Sequence, residues 1–215
     1  YGFNMKLALV NPGRMGLETQ SMSPPFGLMY LAGYVRKYMK EVEIRIIDRI
    51  AGQNVEEELL NFQPDIVGIT GVTEHIPEAY KIALFVKKNL KAKVIMGGIH
   101  ASSLPLEASK YADCVVVGEA EKTFLDLLSK KRLPKIVQGE YVKDIDEIPP
   151  PAYDLLDIEK YICSEEKDSP SNLWDLPNVR IGWLMTSRGC PYRCIYCYNS
   201  KRTFPIRFHS VKRVI

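Results

Sequence analysis

Three cysteines fall within eight residues as Cys190-x3-Cys194-x2-Cys197. Thiolates so closely spaced converge on one soft-metal site. The other two, Cys114 and Cys163, stand apart, and the total of five is odd. An extracellular disulfide framework fits that pattern poorly, whereas a metal site in a reducing cytoplasm fits it well. Structural zinc usually takes four protein ligands, and His209 or Cys163 could complete such a set. A four-iron cluster on three thiolates instead leaves one iron open to a small molecule. The spacing, on a loop that follows a strand pattern, favours the open iron–sulfur cluster over zinc.

The elements that must position this loop begin far upstream. A chain of 215 residues is long for one domain and short for two, since domains run roughly 100–200 residues. Hydrophobic residues make up 46% and charged residues 26%, a globular balance that excludes bulk disorder. No stretch approaches the ~18 consecutive apolar residues of a membrane span. The formal net charge of +3 comes from scattered Lys and Arg, which gives no electrostatic case for nucleic acid or membrane as a partner. Tyr1–Lys6 lacks the basic and apolar regions of a secretory signal, and Met5 could be the natural start.

Short apolar, β-rich runs recur at 6–10, 43–47, 65–69, 93–96 and 114–117. Runs of this kind suit strands covered on both faces of a parallel sheet. Helical patterns separate them, clearest over 26–40, where Leu28, Leu31, Ala32, Val35, Tyr38 and Met39 form one stripe. Others run from about 77 to 90 and from 119 to 130. The alternation predicts an α/β fold, a doubly wound, flavodoxin-like parallel sheet of five strands over residues 1–135. The segments after the strands are Asn11–Gly13, Asp48–Gly52, Thr70–Thr73, Gly97–His100 and Gly118–Glu119. In such folds they share the carboxyl edge, where ligands bind. Gly13-Arg-Met-Gly16 is not a dinucleotide fingerprint, so NAD and FAD are poor candidates.

The pattern loosens over 136–178, with Pro149-Pro-Pro151 and a polar run from Ser164 to Ser171, and reads as a linker. It holds a β-like patch at Lys135–Gln138 and a possible short helix near Tyr153–Tyr161. A strand pattern over Val179–Thr186 then leads into the cysteine loop, and Ser210–Ile215 resembles the opening of a helix.

Cys190-x3-Cys194-x-Tyr196-Cys197 resembles the signature of radical S-adenosylmethionine (SAM) enzymes. The resemblance implies that Cys190, Cys194 and Cys197 hold a 4Fe-4S cluster whose open iron is chelated by SAM. It implies reductive cleavage of SAM to methionine and a 5′-deoxyadenosyl radical, with Tyr196 against the SAM adenine. Pro24–Gly33, Gly97-Gly-Ile-His-Ala101 and Val116-Val-Gly-Glu-Ala-Glu121 resemble the cobalamin-binding domain that precedes the radical SAM barrel in one large subfamily. On that resemblance Thr70, Gly71, Gly97, Gly98, His100, Gly118 and Glu119 border cobalamin. Read without it, His100 is equally a loop or capping histidine, Glu119 and Glu121 are charges at a helix N-terminus, and Cys114 is a small buried hydrophobe.

The resemblance breaks in one place. Domains that ligate cobalt through histidine carry Asp-x-His-x-x-Gly after the second strand. Here the stretch reads Asp48-Arg-Ile-Ala-Gly52, so cobalamin is expected base-off with no protein histidine on cobalt. Residues 179–215 are expected to be the incomplete start of a radical SAM barrel, whose full form needs roughly 200 residues. The chain then reads as part of a cobalamin-dependent radical SAM enzyme, most often a methyltransferase using methylcobalamin, and inactive by itself. The alternatives are a non-catalytic cobalamin- or partner-binding module and a cyclase or rearrangement enzyme resembling the anaerobic tetrapyrrole cyclase. An external donor such as ferredoxin or flavodoxin and a cytoplasmic location are expected of it.

Overall fold

The computed structural model describes residues 5–13, 23–162, 182–201 and 205–215. Its main body is a parallel sheet formed by β1 (Met5–Asn11), β2 (Val42–Asp48), β3 (Ile66–Ile69), β4 (Lys93–Met96), β5 (Cys114–Val117) and β6 (Ile136–Gln138). The spatial order is β2-β1-β3-β4-β5-β6, flavodoxin-like over its first five strands. Each of the five expected strands is present, and β6 adds a sixth. The β-like patch at the start of the expected linker pairs parallel with β5, Val116 opposite Val137.

Strand alternation divides the core cleanly. Leu7 and Leu9 of β1 face a cluster with Leu28, Val35 and Phe124, while Ala8 and Val10 face another with Leu59, Ile82 and Val86. The first cluster is closed by α1 (Phe26–Tyr38) and α6 (Glu121–Leu128), the second by α2 (Val55–Phe62) and α3 (Ile76–Asn89). Between β4 and β5 lie α4 (Gly98–Ser103) and α5 (Pro105–Ala108). Neither stands out in the sequence, because each is too short to show a helical stripe.

The segment after β6 is packed rather than slack. Val142, Ile145 and Ile148 are buried against Tyr30 and Tyr34 of α1. Arg36 binds Asp154 through two nitrogens at 2.6 and 2.8 Å, and Ala152 N–H donates to the Met29 carbonyl at 3.1 Å. The expected helix near 153–161 is a 3-10 turn (Tyr153–Leu155) followed by α7 (Glu159–Ile162).

Among the described residues just before the cysteines, 182–189, strand is confined to Ser187–Arg188. This β7 pairs antiparallel with β8 (Arg207–Phe208), Arg188 opposite Arg207. Residues 182–186 carry no strand, and 179–181, like Cys163, lie outside the described residues. The expected terminal helix is α8 (Val211–Val214), capped by the Ser210 side chain, which accepts from Arg213 N–H. Among the described residues no helix is long and apolar enough to cross a membrane.

Candidate functional site: a cavity between the sheet edge and the cysteine loop

The carboxyl ends of β1, β3, β4 and β5 open onto a cavity of about 410 Å3, within the range of about 300–1,000 Å3 that takes small molecules and cofactors. Its inner wall is apolar, built from Leu9, Ile69, Ile95, Met96 and Val116 of the strands with Leu28, Leu31 and Phe124 of the helices. Thr70, Gly97, Gly98, Gly118 and Glu119 form the rim. The opposite wall comes from the far end of the chain, from Met185, Ser187, Arg188 and Gly189.

Gly98 explains why small residues stand here. Its φ is +88°, and a Cβ would lie 2.6 Å from Thr70 Oγ1 and 3.0 Å from Gly71 N. A side chain would be both strained and sterically excluded. The rim thereby lets a ligand reach backbone groups. Gly71 and His100 do not line the cavity but stand behind the rim. His100 N–H donates to the Gly71 carbonyl at 3.3 Å, and its Nδ1 lies 3.1 Å from Thr73 Oγ1. His100 Nε2 is buried without a hydrogen-bond partner and stands 3.6 Å from the Glu107 carboxylate.

The β2–α2 loop holds its own charges internally. The buried Asp48 carboxylate accepts from Asn11 Nδ2 at 2.9 Å, Ile50 N–H at 2.9 Å and the Tyr161 hydroxyl at 2.7 Å. Burial pushes this carboxyl above its usual range, against the pull of those donors. Arg49 beside it binds Glu56 at 2.5 Å and Glu78 at 3.3 Å. No histidine lines the cavity. His209 is committed elsewhere, its Nδ1 standing 2.8 Å from Asp146.

The cysteine loop stands on two feet, β7 and β8, and both are gripped by the β5–α6 turn. Arg188 binds Glu121 at 2.5 Å and approaches Glu119 at 3.7 Å. Arg207 binds both oxygens of Glu119 and also donates to the Val142 carbonyl. The four side chains are 7–19% exposed. Arg188 also lies over the Tyr30 ring at 5.0 Å. Two carboxylates and two guanidinium groups balance in this dry setting. Removing one member of such a pair typically costs about 3–5 kcal/mol, because the other charge is left buried alone. Sequence reading missed both arginines. The only available signal was their placement on either side of the cysteines, and charge next to a motif usually means solvent.

Gly189, immediately before Cys190, has φ +95°, and a Cβ there would meet the Pro205 carbonyl at 2.8 Å. The loop closes over itself at that point. Cys190 and Cys197 are half-buried, Cys194 is exposed, and none forms a disulfide. Cys197 N–H donates to the Cys194 carbonyl at 2.9 Å. Tyr192, Ile195 and Tyr196 are exposed, Tyr196 to 90%. Among the described residues no three His, Cys, Asp or Glu side chains gather closely enough to hold a metal ion. The donor set for an iron–sulfur cluster is present, but it is displayed on an open turn and not closed around a centre.

The model of the B12 binding domain family matches residues 15–128. Over 98% of its length the chain is 35% identical to an uncharacterized methyltransferase of Pyrococcus horikoshii, of which it covers 49%. It is 25% identical, again over 98% of its length, to the anaerobic magnesium-protoporphyrin IX monomethyl ester cyclase of Rubrivivax gelatinosus, covering 41% of that protein. The chain thus spans less than half the length of either curated relative. Among solved structures it resembles the radical SAM methyltransferase TsrM from Kitasatospora setae with cobalamin and a 4Fe-4S cluster bound. The TM-score is 0.63 at 17% identity, over 99% of this chain and 44% of that one. That likeness is one of fold.

Proposed function

We propose, because the chain belongs to the B12 binding domain family, that its sheet-edge cavity is a cobalamin site within a methyl-transferring radical SAM enzyme. One observation carries the reading. A single cavity is walled by the glycine rim of the B12 binding domain and by the strand that leads into the three cysteines.

The residues fit cobalamin. An apolar, partly enclosed cavity suits the nucleotide tail of the cofactor, and the Gly97–Gly98 rim admits it close to the backbone. Thr70, Gly97, Gly98 and Gly118 border the tail. Glu119 does so through its main chain, since its carboxylate is taken by Arg207. Gly71 and His100 support the rim from behind, with His100 Nδ1 on Thr73. The β2–α2 loop, closed on itself around Asp48 and carrying no histidine, would offer cobalt no imidazole, and a cofactor whose own base lay in the apolar cavity would be base-off.

Cobalamin, when bound, carries the methyl group; a 4Fe-4S cluster on Cys190, Cys194 and Cys197 supplies the electron that cleaves SAM. The protein's own part is to hold the two sites against each other and to keep water from the apolar wall. Tyr196, exposed beside the third cysteine, would lie against the SAM adenine, and an external one-electron donor such as ferredoxin or flavodoxin would serve the whole enzyme. A second reading, ring closure in place of methyl transfer, draws on the likeness to the Rubrivivax cyclase.

The test is an absorbance titration of the chain with hydroxocobalamin. Saturable one-to-one binding that Gly98→Ala weakens supports the reading, whereas spectra that never shift overturn it.

A further inference from the structure

We propose that Glu119 and Glu121 are positioning residues that pin both feet of the cysteine loop to the sheet edge and so set the outer wall of the cavity. A charge placed only for a helix dipole sits in solvent, yet the Glu121 side chain is 7% exposed and bound to Arg188 at 2.5 Å. Glu119 holds Arg207, the residue directly opposite Arg188 in the β7–β8 pair. The two carboxylates, two residues apart on one turn, therefore address the two strands of one hairpin.

The turn that carries them is itself braced. Gly139 packs so tightly that a Cβ there would lie 2.0 Å from the Glu119 carbonyl. Gly139 N–H also donates to the Val117 carbonyl at 2.9 Å. A braced turn presents its carboxylates preorganised, and a bidentate guanidinium fixes direction as well as distance. Gly118, Glu119 and Glu121 line the cavity from one side, Arg188 and Gly189 from the other. The same ion pairs thus join the two walls, and loosening them frees the outer wall. Only the ligand-release half of this inference rests on the proposed cobalamin site.

The experiment is hydrogen–deuterium exchange read by mass spectrometry on the full chain, with dissociation of hydroxocobalamin measured alongside. The variants are Glu119→Gln, Glu121→Gln, Arg188→Met and the double variant Glu121→Gln with Arg188→Met. Without ligand, each Gln variant should exchange amides in 185–189 and 205–209 about tenfold faster, while β1, β3 and β4 keep their rates. Once Arg188→Met is in place, Glu121→Gln should add less than about threefold, which a loss of packing unrelated to Arg188 would not permit. Hydroxocobalamin should leave the Gln variants about tenfold faster. Unchanged loop rates, equal acceleration in β1, β3 and β4, or a full tenfold from Glu121→Gln in the Arg188→Met background would overturn the proposal. If Glu121→Gln does not fold, Glu119→Gln alone decides, its carboxylate being the more exposed. A parent chain that binds no hydroxocobalamin would sink the cobalamin reading, while the ligand-free exchange rates would still decide this one.

Discussion

Tyr161 donates its hydroxyl to the Asp48 carboxylate at 2.7 Å, joining residues 113 positions apart. Asp48 ends β2 at the point where histidine-ligating domains begin their cobalt loop. Here the carboxylate is used instead to dock α7 and to close the loop on Ile50.

Tyr161→Phe should therefore destabilise the chain by about 1–3 kcal/mol, the usual cost of leaving a buried acceptor short of a donor. Urea denaturation measures it. The loss should depend on pH. Burial already raises the Asp48 carboxyl, so its protonated form is favoured in the folded state below the raised value and the ionised form above it needs the tyrosine most. The difference between parent and variant should be largest at neutral pH and shrink as pH falls through that value.

Gly98→Ala places a Cβ 2.6 Å from Thr70 Oγ1 at φ +88°. A cost of roughly 1–2 kcal/mol is expected from the backbone alone. Because the clash is at the rim, hydroxocobalamin affinity should fall with it. A loss of stability with unchanged affinity would separate the rim from the binding site.

Asp146 anchors the segment after β8, accepting from Ser210 N–H at 3.2 Å and standing 2.8 Å from His209 Nδ1. Hydrogen bonding by Ser210, then by His209, holds its carboxyl down at about 2. A depressed folded-state value means that the contribution is complete above the ordinary carboxylate range and is lost as pH falls from about 4 to about 2. The urea midpoints of parent and Asp146→Asn should differ at pH 7, keep that gap down to about 4, and converge below it.

The cysteines should differ in reactivity. Cys114 is buried in β5, and burial pushes its thiol up to about 11, leaving almost no thiolate at neutral pH. Cys194 is exposed. Iodoacetamide at pH 7.5 should label Cys194 within minutes and leave Cys114 unmodified in the native chain, as peptide mapping would read.

The parallel sheet was legible because its strands are continuous apolar runs, such as Cys114–Val117, each bounded by glycine or charge. Its glycine edge was legible because Thr70, Gly97 and Gly118 follow strands directly. β6 was read only as a patch, since Ile136–Gln138 is three residues long and mostly exposed, too short for period-two alternation to register. Residues 142–148 read as linker because their three buried side chains, Val142, Ile145 and Ile148, stand three apart around one 3-10 turn (Ile145–Glu147), and three apolar residues among charged neighbours make too short a stripe to register as an element. The ion pairs of Glu119 and Glu121 were illegible for a different reason. Their partners, Arg207 and Arg188, lie 88 and 67 positions away, and charge pairing at that separation leaves no local pattern.

The most direct measurement is electron paramagnetic resonance of the chain titrated anaerobically with cob(II)alamin. The account predicts saturable binding and a cobalt spectrum without nitrogen coupling from an axial ligand, because the Asp48–Gly52 loop offers no imidazole and the cofactor's own base would lie in the cavity. A nitrogen-coupled spectrum from the bound cofactor would contradict the base-off site, and absence of binding would contradict the cobalamin assignment itself.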